Sequence, residues 1–169
     1  MSAPFRIEAL TSQHDRSTFD CGSEPLNRYF RQQVTQDARR RVTACFVAVE
    51  QGREVLASYY TVASSSVPLT DLPEEITKKL PRYPSVPAVR MGRLAVDQQF
   101  RGKGLGAAML ADALERSVKA EIAAYTLVVD AKDEQAAAFY RHHGFLAFND
   151  NQLALFLPLA TAQGLLERR

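Results

Sequence analysis

The sequence predicts an α/β fold with a central mixed sheet, antiparallel in its N-terminal part and locally parallel further on, flanked by helices. Three observations lead there. Two β-like runs, TACFVAVEQ and EVLASYYTVAS, are separated only by Gly52 and Arg53, which reads as an antiparallel hairpin. From Ala88 onward strand and helix patterns alternate, which calls for a parallel pair of strands near residues 94 and 127. The joint between them, QFRGKGLGA, carries glycine at every other position, as a tight strand-to-helix turn requires.

Taken in order, the chain opens with a short apolar strand at Phe5–Ala9. The run FDCGSEPLNRYFRQQVTQDARRR then reads as a helix with Ser23 at its N-cap and Pro25 in its first turn. Its inward face is Leu26, Tyr29, Phe30, Val34 and Ala38, at three- and four-residue spacing; Arg28, Arg31, Gln32, Gln36 and Arg39 face outward. The hairpin follows. Residues 67–87 break the pattern with Pro68, Pro73, Pro81, Pro84 and Pro87 around one helical turn, PEEITKKL, and so long a connection within a compact domain is often functional. Then come a strand (AVRMGRLAVD), the glycine turn, a helix (LGAAMLADALERSVKA), a strand (AYTLVVDA), a helix (EQAAAFYRHH) stopped by Gly144, and a last strand (QLALFLPL).

The 169 residues, 46% of them hydrophobic, suit one domain over residues 1–169. Nothing in the sequence approaches the apolar length of a membrane span, and the opening MSAPFRIEAL lacks a basic stretch followed by an apolar run, so a cytoplasmic protein is expected. Cys21 and Cys45 form neither a disulfide framework nor a CxxC zinc motif, and no metal site is expected. The net charge of +2 is too small to imply nucleic-acid binding from composition alone; only local clustering, such as Arg39, Arg40 and Arg41, argues for it.

A glycine turn before a helix is a phosphate cradle. The helix start offers unpaired N–H groups and a partial positive charge, Gly102, Gly104 and Gly106 let backbone approach, and Arg101 and Lys103 add charge sufficient for a diphosphate. A tight turn with incidental surface cations is the competing reading. Gly102, Gly104 and Ala107 also satisfy GxGxx(G/A), with Asp130 ending a later strand, but too little chain follows for a doubly wound dinucleotide fold. No GxxxxGK(S/T) occurs, which excludes a Walker loop.

The stretch RGKGLGA after GRLAVD resembles the R/Q-x-x-G-x-G/A pyrophosphate loop of the GCN5-related N-acetyltransferases, with Arg101, Gly104 and Gly106 in its defining places. The run DAKDEQAAAFYRHHGF is similar to the second half of that family's signature. The resemblance implies acetyl-CoA as donor, its diphosphate on the backbone of Arg101, Gly102, Lys103, Gly104, Leu105 and Gly106, and its pantetheine arm paired with Leu94, Ala95 and Val96. Family members often have Asn where Asp133 stands, a position facing the cofactor. Tyr140 is implied as the general acid for the leaving thiolate, with a backbone N–H of the 94–96 strand polarising the thioester carbonyl. A core aromatic beside Phe139 is the alternative for Tyr140, and His142 and His143 read as polar residues at a helix end.

The string FDCGSEPLNRYF, the continuation ARRRVTACFVAV and the hairpin with YYTVASSSV further resemble the acetyltransferase toxins of bacterial toxin-antitoxin pairs. That subgroup implies acetylation of the α-amino group of aminoacyl-tRNA, arrest of translation, neutralisation by a ribbon-helix-helix antitoxin, and a homodimer as a frequent assembly. Arg39, Arg40, Arg41, Arg90 and Arg93 would then contact tRNA phosphates; a solvated helix end, a salt bridge and an exposed strand face are the plainer readings of the same arginines. An α-amine with pKa about 7.7 is neutral in about one molecule in six at pH 7, against about one in two thousand for lysine, so it needs little help from a base. A small amine or a protein N-terminus remains as acceptor, and a non-catalytic CoA- or antitoxin-binding module remains as a different class.

Overall fold

The computed structural model describes residues 4–168; Met1–Ala3 and Arg169, the ends of the predicted domain, lie outside the described residues. Among the described residues, seven strands, β1 (Phe5–Ala9), β2 (Ala44–Glu50), β3 (Val55–Pro68), β4 (Ser85–Val96), β5 (Thr126–Asp130), β6 (Leu146–Phe148) and β7 (Asn151–Pro158), are joined in the order β1-β2-β3-β4-β5-β7-β6. The chain falls into two compact units, one running to Ala63 and including Gly92–Ala113, the other comprising Ser64–Met91 with the residues from Leu114 onward.

In the first unit, β1 (Phe5–Ala9) pairs antiparallel with β2 (Ala44–Glu50), and β2 with β3 (Val55–Pro68), interrupted by a bulge at Ala48/Val49. The hairpin turn needs two left-handed residues, Gly52 at φ 100° and Glu54 at φ 58°. The predicted helix is present from Glu24 but is not uniform: α1 (Glu24–Arg28) passes through a π-helical turn (Tyr29–Gln33) into α2 (Val34–Arg39). Ser23 occupies the N-cap without a side-chain capping bond. The extra residue of the π turn rotates the faces on either side of it. Phe30 and Val34 are fully buried as the spacing predicts, but Ala38 is exposed, while Asn27 is buried and donates to Asp20 and accepts from the Cys21 N–H, both at 2.9 Å. Arg31, predicted to face solvent, instead donates to the Phe19 carbonyl.

The core of this unit is aromatic. Phe30 stacks on Tyr59 at 4.2 Å between centroids and meets Phe19 edge-on at 4.8 Å, and the Tyr59 hydroxyl donates to the Leu26 carbonyl at 2.8 Å. Fully burying each large apolar side chain contributes roughly 1.5–3 kcal/mol, so Phe19, Phe30 and Val34 fix the α1–α2 segment on β2 and β3.

In the second unit, the first part of β4 (Ser85–Val96) runs parallel to β5 (Thr126–Asp130), from Ala88↔Thr126 to Met91↔Val129. The paired stretch is therefore Ala88–Met91 and not the neighbourhood of residue 94 that the sequence suggested. β5 pairs antiparallel with β7 (Asn151–Pro158), and β7 with β6 (Leu146–Phe148). Leu127, Val128 and Val129 are all fully buried, the continuous apolar run of a strand covered on both faces. The sequence reading missed β6, only three residues long, and α6 (Leu159–Glu167), which continues directly from β7.

The proline-rich connection is ordered. β3 reaches Pro68, a single 3-10 turn (Leu69–Asp71) and the short α3 (Glu74–Thr77) follow, and the Asn149 amide donates to the carbonyls of Thr70 (3.1 Å) and Leu72 (2.9 Å). Leu72 and Val67 pack with Val86, Phe148 and Phe156.

Candidate active site

The glycine turn is held from both sides. Asp97, 3% exposed, follows β4 and accepts from the N–H groups of Gln99 (2.9 Å) and Asp20 (3.0 Å), while its own N–H donates to the Ala57 carbonyl at 2.8 Å. Phe100 is buried at the end of the 3-10 turn Gln98–Phe100, and Leu105 is buried at the start of α4 (Leu105–Lys119). Between these anchors, Gly102 and Gly104 adopt φ of 77° and 78°, which L side chains rarely take. A Cβ at either would meet nothing within 4 Å, so the glycines serve backbone conformation and leave open space in front of the turn. The Ala108 N–H bonds the Gly104 carbonyl at 3.0 Å, which leaves the earlier first-turn amides as the donors a helix start holds in reserve. This cradle fits a diphosphate.

The two cations of the turn differ. Lys103 is exposed. Arg101 donates to the Cys21 carbonyl at 2.5 Å, so it ties the turn to the 20–22 loop as well as supplying charge. On β4, Leu94 and Val96 are half-buried, and Ala95 is buried with its carbonyl accepting from the Ser58 hydroxyl at 2.7 Å. Tyr60, on β3 of the same unit, donates to Asp112 of α4 at 2.7 Å and so helps to seat that helix.

In the other unit, α5 (Glu134–His142) carries Tyr140. Asp133 caps this helix by accepting from the Ala136 N–H at 2.8 Å, a structural task that accounts for its carboxylate. Gly144 at φ 94° ends the helix and Phe145 turns inward, 5.5 Å from the Tyr140 ring. Tyr140 is only 7% exposed, and its hydroxyl has no hydrogen-bond partner among the described residues. Burial, with a contribution from the Asp130 carboxylate, pushes the phenol up to about 12, so it keeps its proton at neutral pH. His142 is exposed, and burial together with His142 lowers His143, which leaves it neutral.

The five arginines expected to meet RNA divide. Arg39, Arg40 and Arg41 are all exposed at the end of α2, with Arg41 in the left-handed region at φ 62°. Arg90 is ion-paired with Asp130. Arg93 lies over the ring of Tyr29, 3.4 Å from its centroid, and the Tyr29 hydroxyl donates to Asp37 at 2.7 Å. Sequence reasoning missed Asp97, Tyr29 and Asp130 in these roles. Only Asp97 left a local signal, an acidic residue between a strand and a short turn. Among the described residues no group of His, Cys, Asp or Glu is placed to hold a metal, and no helix is long and apolar enough to cross a membrane.

The mixed sheet with its parallel β4–β5 pair and the glycine turn at the start of α4 are features of an acyl-transfer enzyme. A model of the acetyltransferase (GNAT) domain matches residues 42–146, and the chain belongs to that family. It is 34% identical to a tRNA-acetylating toxin of Mycobacterium tuberculosis, over 98% of this chain and 96% of the relative. Among solved structures it is similar to AtaT complexed with acetyl-methionyl-tRNAfMet, with TM-score 0.88 and 30% identity over 96% of this chain and 99% of that one. It is also similar to a point mutant of the AtaT toxin bound to the C-terminus of the antitoxin AtaR and acetyl-CoA, with TM-score 0.81 and 27% identity over 97% and 99% of the two chains.

Proposed function

We propose that this protein transfers the acetyl group of acetyl-CoA to the α-amino group of an aminoacyl-tRNA and thereby blocks translation. The observation that carries the reading is likeness along nearly the whole chain to a tRNA-acetylating toxin and to a toxin bound to acetylated methionyl-tRNA. The cradle supports it: backbone N–H groups of 101–106 take the diphosphate, with Lys103 adding charge and Arg101 both adding charge and holding the turn. Leu94, Ala95 and Val96 pair with the pantetheine arm, and a backbone N–H there polarises the thioester carbonyl.

The neutral α-amine attacks the carbonyl carbon, the carbon–sulfur bond breaks, and Tyr140 gives its phenolic proton to the departing thiolate. The proton lost by the new amide nitrogen returns to solvent and the phenol is reprotonated. Arg39, Arg40 and Arg41 meet tRNA phosphates, and Arg90 and Arg93 add further phosphate contacts. Asp133 serves the cofactor indirectly, by fixing the start of the helix that bears Tyr140. We further propose a single cytoplasmic domain over residues 1–169 that forms a homodimer and is held inactive by a ribbon-helix-helix antitoxin.

The test is a cell-free translation reaction. The protein should stop synthesis only when acetyl-CoA is supplied, and Tyr140→Phe should not stop it. Inhibition without acetyl-CoA would favour a non-catalytic binding module, and acetylation of added peptides or small amines with translation unaffected would favour a different acceptor.

A further inference from the structure

Within the second unit a cavity of about 280 Å³ opens among the end of β3, the 3-10 turn, β4, the end of β5 and the β6–β7 turn. That volume falls just below the range of about 300–1,000 Å³ for ligand pockets, so it suits one amino-acid side chain and not a nucleotide. Its wall is partly apolar: Val67 and Phe148 are buried, the Phe148 ring leans on Phe156 at 5.0 Å, and Pro68 and Ala154 complete that side. Its charged groups are unequal. Arg90 neutralises Asp130 in an ion pair, whereas the carboxylates of Asp71 and Asp150 make no ion pair among the described residues. The cavity therefore combines an apolar wall with two uncompensated negative charges.

One wall of the cavity leads in sequence to the helix that bears Tyr140. Asp130 lines the cavity at the end of β5, the strand that leads into α5, and the same carboxylate acts on Tyr140, helping to hold its phenol protonated. Tyr140 is not itself part of the lining, and Asp130 is the residue that links it to the cavity.

We infer that this cavity receives the side chain of the aminoacyl acceptor and prefers a long cationic one, lysyl or arginyl, whose stem packs on Val67, Pro68 and Phe148 and whose head meets Asp71 and Asp150. Glutamyl and aspartyl groups are repelled by the same two carboxylates. A short or branched apolar side chain leaves both carboxylates without a partner, so it gains contact with the wall alone. The α-amino group itself cannot produce such a preference, because every aminoacyl-tRNA carries it. This inference rests on aminoacyl-tRNA being the acceptor.

The experiment measures kcat/KM for lysyl-, arginyl-, leucyl- and glutamyl-tRNA with acetyl-CoA, and mass spectrometry assigns the acetyl group to the α-nitrogen. Lysyl and arginyl acceptors should exceed leucyl by about tenfold, with glutamyl slowest, because charge-assisted contacts are stronger than neutral ones. Asp71→Asn combined with Asp150→Asn, folded by circular dichroism, should collapse the lysyl-to-leucyl ratio towards one. Equal rates across the four acceptors, a preference for leucyl or glutamyl, or an unchanged ratio in the double variant would overturn the inference while leaving tRNA acetylation standing. Absence of product from all four would overturn both.

Discussion

The guanidinium of Arg93 rests 3.4 Å from the ring centroid of Tyr29, whose hydroxyl donates to Asp37 at 2.7 Å. A strand arginine is thus joined to the π-helical turn between α1 and α2 through one aromatic ring. Arg93→Ala and Tyr29→Leu should each destabilise the fold, and a double-mutant cycle in urea should return a coupling of about 1 kcal/mol, the scale of a partly desolvated cation–π pair. A coupling near zero would mean that the stack contributes nothing and that Arg93 matters for ligands alone.

Tyr140→Phe removes one oxygen from a ring packed against Phe139 and Phe145. Turnover should fall by about 10²-fold or more, the usual contribution of a positioned general acid, while acetyl-CoA binding by calorimetry stays within error of the parent. Unchanged turnover would remove the phenol from the mechanism.

The raised phenol also sets a pH dependence. kcat/KM should climb as the acceptor α-amine loses its proton, through about pH 7.7, and then stay level. Because Tyr140 is pushed up to about 12, its proton is retained across that plateau and no falling limb should appear below about pH 11. A decline centred near 10, abolished by Tyr140→Phe, would show an ordinary phenol instead.

Gly104 holds φ 78° with open space ahead of it. Gly104→Val forces a branched side chain into that conformation and fills the approach to the first-turn amides. Calorimetry should show loss of acetyl-CoA binding, with a circular dichroism spectrum that stays native.

Arg39 and Arg40 are exposed at the end of α2. Arg39→Ala with Arg40→Ala should raise KM for charged tRNA and flatten its dependence on salt, since each lost phosphate contact removes about one released counterion. An unaltered salt slope would return both to ordinary surface.

Strong periodicity made most of the fold legible from sequence. The hairpin, β5, α4 and α5 all lie where spacing and glycine punctuation place them. The misses have local causes. A π turn inserts a residue that a strict 3.6 period cannot anticipate, so Ala38 and Arg31 exchange surroundings relative to expectation. β6 is too short to carry alternation, and α6 follows β7 without a break because Pro158 ends one and caps the other. In the site, the glycine turn and Tyr140 were visible as motifs because they depend on residues adjacent in sequence. The Arg90–Asp130 and Arg93–Tyr29 pairs were not, since each joins positions far apart in the chain.

The central claim is acetyl transfer to the α-nitrogen of an aminoacyl-tRNA, and mass spectrometry of charged tRNA from a translation reaction supplied with acetyl-CoA and this protein tests it most directly. The account predicts N-acetylated aminoacyl ester at the tRNA 3′ end, absent when Tyr140→Phe replaces the parent. Charged tRNA left wholly unacetylated while the protein binds acetyl-CoA would contradict it.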